Sequence, residues 1–164
     1  MSESPANRRD LERMEPDEKE AIHREAEARV QPFAYERPDA LPENGRRYMK
    51  LAATELVGAS VQILSEGGEN NLHYHSGEDG FWMVLQGRVK FYGPDGPIGE
   101  YGPHEGLIMP HNARYWFEAV TSAGELQILH VAGRRPTNNR RINIGERTKR
   151  GVWIDPSGDD AATR

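Results

Sequence analysis

Between Arg46 and Val131 the chain is cut into short runs of β-branched and aromatic residues, each closed by Gly, Pro, Asn or Asp. No run in that stretch has the length or the 3.6-residue periodicity of a stable helix. The spacing predicts strands over 48–52, 59–64, 81–85, 88–92, 106–109, 115–119 and 126–131. Turn signals at Gly93-Pro-Asp-Gly-Pro97 and Ser122-Ala-Gly124 fall between them, where hairpins need residues that bend readily. Many short strands without long helices define an all-β chain, an antiparallel sandwich or barrel. There is no internal repeat.

The 164 residues suffice for one such domain with extra chain at either end, and leave no room for a second catalytic domain. A net charge of −5 speaks against a nucleic-acid partner, since polyanion binding leaves a basic surface. With no cysteine, disulfides, thiol nucleophiles and thiolate ligands are excluded, so any metal must be held by His, carboxylate, Tyr or water. No apolar stretch suits a membrane span or a secretory leader, and a cytoplasmic location is expected.

The chemistry concentrates around His73 and His75. On an extended segment, i and i+2 side chains point the same way, so both imidazoles share a face, as half of a metal site requires. Two or three imidazoles plus a carboxylate commonly hold Fe, Mn, Ni or Zn and leave positions open for substrate. Glu78 and Asp79 stand next along the chain, in the Gly-flanked turn Ser76-Gly-Glu-Asp-Gly80. His130 shares one face of the last strand with Leu126 and Ile128, so it joins the pocket if that face is internal. His104 and His111 read as exposed turn residues. Period-two counting from the histidine pair places Trp82, Val84, Tyr115 and Phe117 inward, giving an apolar pocket with a few polar tips.

Gly67, the His73-x-His75 pair and the strand ending at Gly87 resemble the first motif of the cupin superfamily: Gly, five residues, His-x-His, three or four residues, Glu, six residues, Gly. The run Gly106-Leu-Ile-Met-Pro110-His-Asn112 resembles the second motif, with Asn112 at the turn glycine, a position asparagine tolerates well. Counting back from Gly87 puts Gly80 at the metal-binding glutamate; His104 falls at the leading glycine of the second motif and Tyr115 at its metal histidine. The resemblance implies a cupin-type antiparallel β-barrel or jelly-roll over 46–132 and a divalent metal bound by His73, His75 and Asp79 at the shorter spacing, a set that His130 completes if its strand face is internal. It also implies Tyr115 as a catalytic acid, base or ligand, and a homodimer formed through sheet edges. Gly80 is expected to open space beside the histidines.

Residues 1–45 form a charged arm. Pro16-Asp-Glu suits the first turn of a short helix, but Leu11, Met14, Ile22 and Val30 do not repeat at helical spacing. Phe33 and Tyr35, among three prolines, are placed to pin this arm to the barrel. The basic extension 133–164 carries Ile142, Ile144, Val152, Trp153 and Ile154, which suggest partial docking. Three functions compete: a metal-dependent oxygenase, isomerase or lyase on a small organic molecule, a metal-independent isomerase or epimerase using Tyr115, and a noncatalytic small-molecule binder.

Overall fold

A computed structural model describes residues 12–41, 45–65, 70–135 and 139–144. Gly67, Leu11 and residues 152–154 lie outside the described residues. The chain divides into two compact units, Met1–Pro32 and Phe33–Arg164. In the first, α1 (Pro16–Glu27) opens on a proline and on a capping box between Glu15 and Glu18, which satisfies backbone N–H groups that the helix leaves unpaired. Arg24 pairs with Glu20 at 2.8 Å, but α1 buries no residue, as its discontinuous apolar stripe predicts.

The second unit is built from β1 (Arg46–Ala53), β2 (Val57–Leu64), β3 (His73–His75), β4 (Glu78–Gln86), β5 (Val89–Gly93), β6 (Gly96–Tyr101), β7 (Gly106–Met109), β8 (Trp116–Ala119), β9 (Leu126–Arg134) and β10 (Arg141–Asn143). A five-stranded sheet runs β1-β2-β9-β4-β7, a three-stranded sheet runs β6-β5-β8, and β3 pairs with β10. All of these pairings are antiparallel. A bridge between His73 and Tyr115 ties β3 to the entry of β8. Every strand foreseen from the sequence is present. The extended segment read at His73-x-His75 is β3, and two strands were not foreseen: β6, whose Gly-Pro-Ile-Gly text lacks β-formers, and β10, a basic tripeptide that is extended because it pairs with β3.

Leu64, Trp82, Val84, Leu126 and Ile128 from the larger sheet meet Val89, Phe91, Phe117 and Ala119 from the smaller one in a single apolar cluster. Burial of side chains such as Phe91 and Phe117 contributes about 1.5–3 kcal/mol each and fixes strand register, because a slip of one residue would turn each apolar face outward. Two non-glycine residues adopt positive φ, His104 at 68° and Asn112 at 65°. Both occupy glycine positions of the motif pattern, so the turns keep the left-handed backbone although the residues have changed.

The connector before β1 is tied to the start of β9. The Tyr35 hydroxyl donates to Gln127 Oε1 at 2.7 Å, and the Arg37 guanidinium meets both oxygens of Glu125 at 3.0 and 2.6 Å. Phe33 is 61% exposed, so Tyr35, and not Phe33, does the pinning. No helix among the described residues is long and apolar enough to cross a membrane.

Candidate functional site

The inner face of the larger sheet changes character along its strands. At one end lie Leu64, Leu126, Ile128 and Val84, all fully buried. At the other end the pairing sets Ser60 opposite His130, His130 opposite Trp82, and Arg134 opposite Glu78. Alternation does the rest: Arg46, Tyr48 and Lys50 on β1, Ser60 and Gln62 on β2, and His130, Ala132 and Arg134 on β9 all point to one side. Together with His73, His75, Glu78, Tyr115 and Arg141 they line a cavity of ≈ 460 Å³. The cavity is the polar continuation of the apolar core, on the same strand faces.

At its floor sits Glu78, whose side chain is 6% exposed. Oε2 accepts from Arg134 Nε at 3.1 Å and from Asn139 Nδ2 at 3.0 Å. Oε1 is turned toward two imidazoles, with His75 Nδ1 at 3.8 Å and His130 Nε2 at 3.7 Å. Those separations are too long for hydrogen bonds. His130 Nε2 is buried without a hydrogen-bond partner, and its ring is stacked on the Trp82 indole at 3.9 Å and 12°. The stack fixes the plane of His130, with Nε2 on the side of Glu78.

All three imidazoles are held neutral. Burial lowers the pKa of His73 well below the usual histidine value, reinforced by the positive charge of Arg141. It lowers that of His75 against an opposing pull from Glu78, and brings that of His130 down to about 4. His73 Nδ1 lies 2.6 Å from the Asn71 carbonyl, which places the proton on Nδ1 and the lone pair on Nε2. Tyr115 lines the cavity while 3% exposed, and burial, then the charge of Glu78, raise its pKa strongly, so the phenol stays protonated. The Trp82 indole N–H slightly favours the ionised phenol, yet meets no acceptor in hydrogen-bonding geometry.

Several residues differ from the expectation. Asp79 faces outward on β4; its Oδ1 accepts from the backbone N–H of His111 at 2.7 Å and meets His111 Nδ1 at 2.8 Å, which keeps its pKa low and its carboxylate out of the cavity. The inward carboxylate is Glu78, two residues before Gly80 and therefore on the same face as Gly80, Trp82 and Val84. Val84 and Phe117 are fully buried in the apolar cluster and do not line the cavity. Nor does Gly80 leave empty room: a Cβ there would stand 2.9 Å from His130 Nε2 and 3.1 Å from Trp82 Nε1. The His130 ring occupies the space a side chain at position 80 would need. Trp82, His73, His75, His130 and Tyr115 all line the cavity as expected.

The donor set suits a divalent ion, with neutral imidazoles beside a carboxylate. As placed, no three His, Asp or Glu side chains among the described residues are close enough to enclose one. Tetrahedral ligands at about 2.1 Å from a metal are about 3.4 Å apart. His75 Nδ1 and His130 Nε2 stand 3.8 and 3.7 Å from Glu78 Oε1, each a few tenths of an ångström beyond that separation.

No protein-family model matches the chain, and no curated protein matches it. Solved structures do. An RmlC-like cupin with a double-stranded β-helix fold from Methanocaldococcus jannaschii is 19% identical at a TM-score of 0.53, over 65% of this chain and 93% of the other. A cupin superfamily protein from Desulfitobacterium hafniense is 22% identical at 0.53, over 65% and 99%. KdgF from Halomonas sp. is 18% identical at 0.52, over 63% and 94%. These likenesses are likenesses of fold, and the fold is all-β. This chain has the cupin double-stranded β-helix fold, with the carboxylate at position 78 in place of the usual position on its first motif.

Proposed function

We propose that the chain is a small-molecule cupin enzyme that works with a divalent metal ion held by His75, His130 and Glu78, with His73 beside them. The observation that supports this most is the buried Glu78 oxygen aimed between two neutral imidazoles, one of which has no other partner. A buried polar nitrogen without a partner costs about 1–3 kcal/mol, and a cation accepting the lone pair of His130 Nε2 would remove the cost. When bound, the ion would supply Lewis acidity toward a carbonyl or carboxylate, or a site for dioxygen if it is iron. The protein's own residues do the remainder. Arg134 and Asn139 orient Glu78, the Trp82 ring orients His130, and Tyr115 keeps a proton available inside the cavity.

Thermal denaturation of chelator-treated, desalted protein tests the proposal. Adding Fe(II), Mn(II), Ni(II) or Zn(II) at a hundredfold excess over Kd stabilises a folded site by about 2.7 kcal/mol. For a chain of this size that raises Tm by about 5–10 °C. The same addition to Glu78→Gln should give little shift. A parent protein that no ion stabilises would contradict the proposal and favour proton transfer through the buried Tyr115 phenol as the site's chemistry.

A further inference from the structure

We propose that the cavity selects a small, neutral, polyhydroxylated molecule whose hydroxyl groups are met by Ser60, Gln62 and Asn70. The inference rests on the reading above in taking the same cavity as the ligand site, and adds the class of ligand.

The first support is a break in the pattern of β2. This strand lies between β1 and β9, and Val61 and Ile63 on its outward face are as buried as Leu64 on its inward face. A strand covered on both faces carries an apolar run, because polar side chains there lose water. Ser60 and Gln62 interrupt that run on the inward face at 2 and 6% exposure, and both line the cavity. Ser60 stands directly opposite His130 in the β2–β9 pairing, so this polar wall adjoins the cluster of imidazoles and Glu78.

The second support is the hydrogen-bonding capacity that these groups keep. Among the described residues the Ser60 hydroxyl has no hydrogen-bond partner. Gln62 Oε1 accepts from Arg46 Nη2 at 3.4 Å, which leaves the Gln62 amide N–H groups for the cavity. Asn70, 5% exposed, is set more firmly: its Oδ1 accepts from the backbone N–H of Phe117 at 2.9 Å, so the amide cannot flip without losing that bond, and its N–H groups remain for the cavity it lines. Buried groups of this kind are hydrogen-bonded as a rule, and one left unmet costs about 1–3 kcal/mol. The two amides offer donors, and the serine both donates and accepts. A ligand hydroxyl accepts from an amide N–H and donates to the serine oxygen, whereas a carboxylate donates nothing and an ammonium group accepts nothing. All three groups are uncharged, so they reward hydroxyls without calling for an ionic ligand, and three of them on one wall call for several hydroxyls on one molecule. The volume of ≈ 460 Å³ suits one small molecule and no polymer segment.

Isothermal titration of the full chain, metal-free and again after Zn(II) loading, tests this with xylitol and myo-inositol and with their deoxy counterparts pentanol and cyclohexanol. At least one polyol should bind, at least about tenfold more tightly than its deoxy counterpart. Ser60→Ala should weaken that polyol by about two- to tenfold, whereas Ser65→Ala, the same loss of a hydroxyl outside the cavity, should not. Asn70→Asp keeps an acceptor for the Phe117 N–H and removes the donors, so it should weaken the polyol by about tenfold or more while the protein stays folded. Raising NaCl from about 0.05 to about 0.3 M should leave the affinity unchanged, since no ligand charge is screened. No polyol binding in either form, a deoxy counterpart that binds as tightly, full affinity in both Ser60→Ala and Asn70→Asp, or binding that weakens severalfold with salt would overturn the inference. The two readings fail separately. Polyol binding in a protein that takes up no metal sinks the metal centre alone; metal uptake without polyol binding sinks the polyol site alone.

Discussion

Replacing Gly80 with alanine probes the packing that lets His130 enter the cavity. The added Cβ would meet His130 Nε2 at 2.9 Å and Trp82 Nε1 at 3.1 Å, and neither atom is the loose end of a flexible side chain, because the two rings are stacked and buried. One ring must move. Overpacking of this kind costs about 1–3 kcal/mol. Gly80 does not adopt positive φ, so alanine also recovers about 0.5–1 kcal/mol of backbone entropy, and the net loss is about 1–2 kcal/mol. In thermal and urea denaturation of metal-free protein, Gly80→Ala should lower Tm by about 2–8 °C. Gly133→Ala is the control on the neighbouring strand, since a Cβ there would meet only the Asp79 carbonyl oxygen at 3.8 Å, and it should stay within about 0.5 kcal/mol of the parent. In a His130→Ala background, Gly80→Ala should cost close to nothing. A Gly80→Ala protein as stable as the parent, or an undiminished cost in the His130→Ala background, would refute the idea that His130 fills the place of the missing side chain.

Acid should destabilise the metal-free protein in a defined window. The pKa of His130 is about 4 when folded and 6.5 ordinarily, so the unfolded chain takes up the proton first; stability is full above pH 6.5 and falls by about 3 kcal/mol as the pH drops to 4. Urea midpoints for parent and His130→Gln should converge across that range, and parallel curves would contradict the assignment. Tyr115→Phe should retain metal and ligand binding but lower turnover by about 10²- to 10⁴-fold once a substrate is found, if the phenol transfers a proton; unchanged turnover would reduce Tyr115 to a wall of the cavity.

The barrel was legible because alternation and turn residues act locally. β5, β8 and β9 follow from their β-formers alone, whereas β10 needs β3 beside it, and short basic text cannot announce that. His130 was legible for the same reason, since Leu126 and Ile128 mark its face. Motif spacing favoured Asp79 as the cavity carboxylate, yet the side chain that faces the cavity is Glu78. Parity pointed to Glu78: if Gly80 and Trp82 face inward, so does residue 78. Arg46, Tyr48 and Lys50 alternate along β1, but that this face lines a cavity depended on residues such as Arg134 and Arg141 arriving from distant strands. Local text could not show that Gly80 is compensated by His130, because those residues meet only through the β4–β9 register.

The most direct measurement is metal stoichiometry by elemental analysis of untagged protein alongside Glu78→Gln and Asp79→Asn, each confirmed folded by its denaturation curve. Close to one ion per chain is expected in the parent and in Asp79→Asn, and near none in Glu78→Gln. Metal retained by Glu78→Gln, or lost from Asp79→Asn, would contradict it.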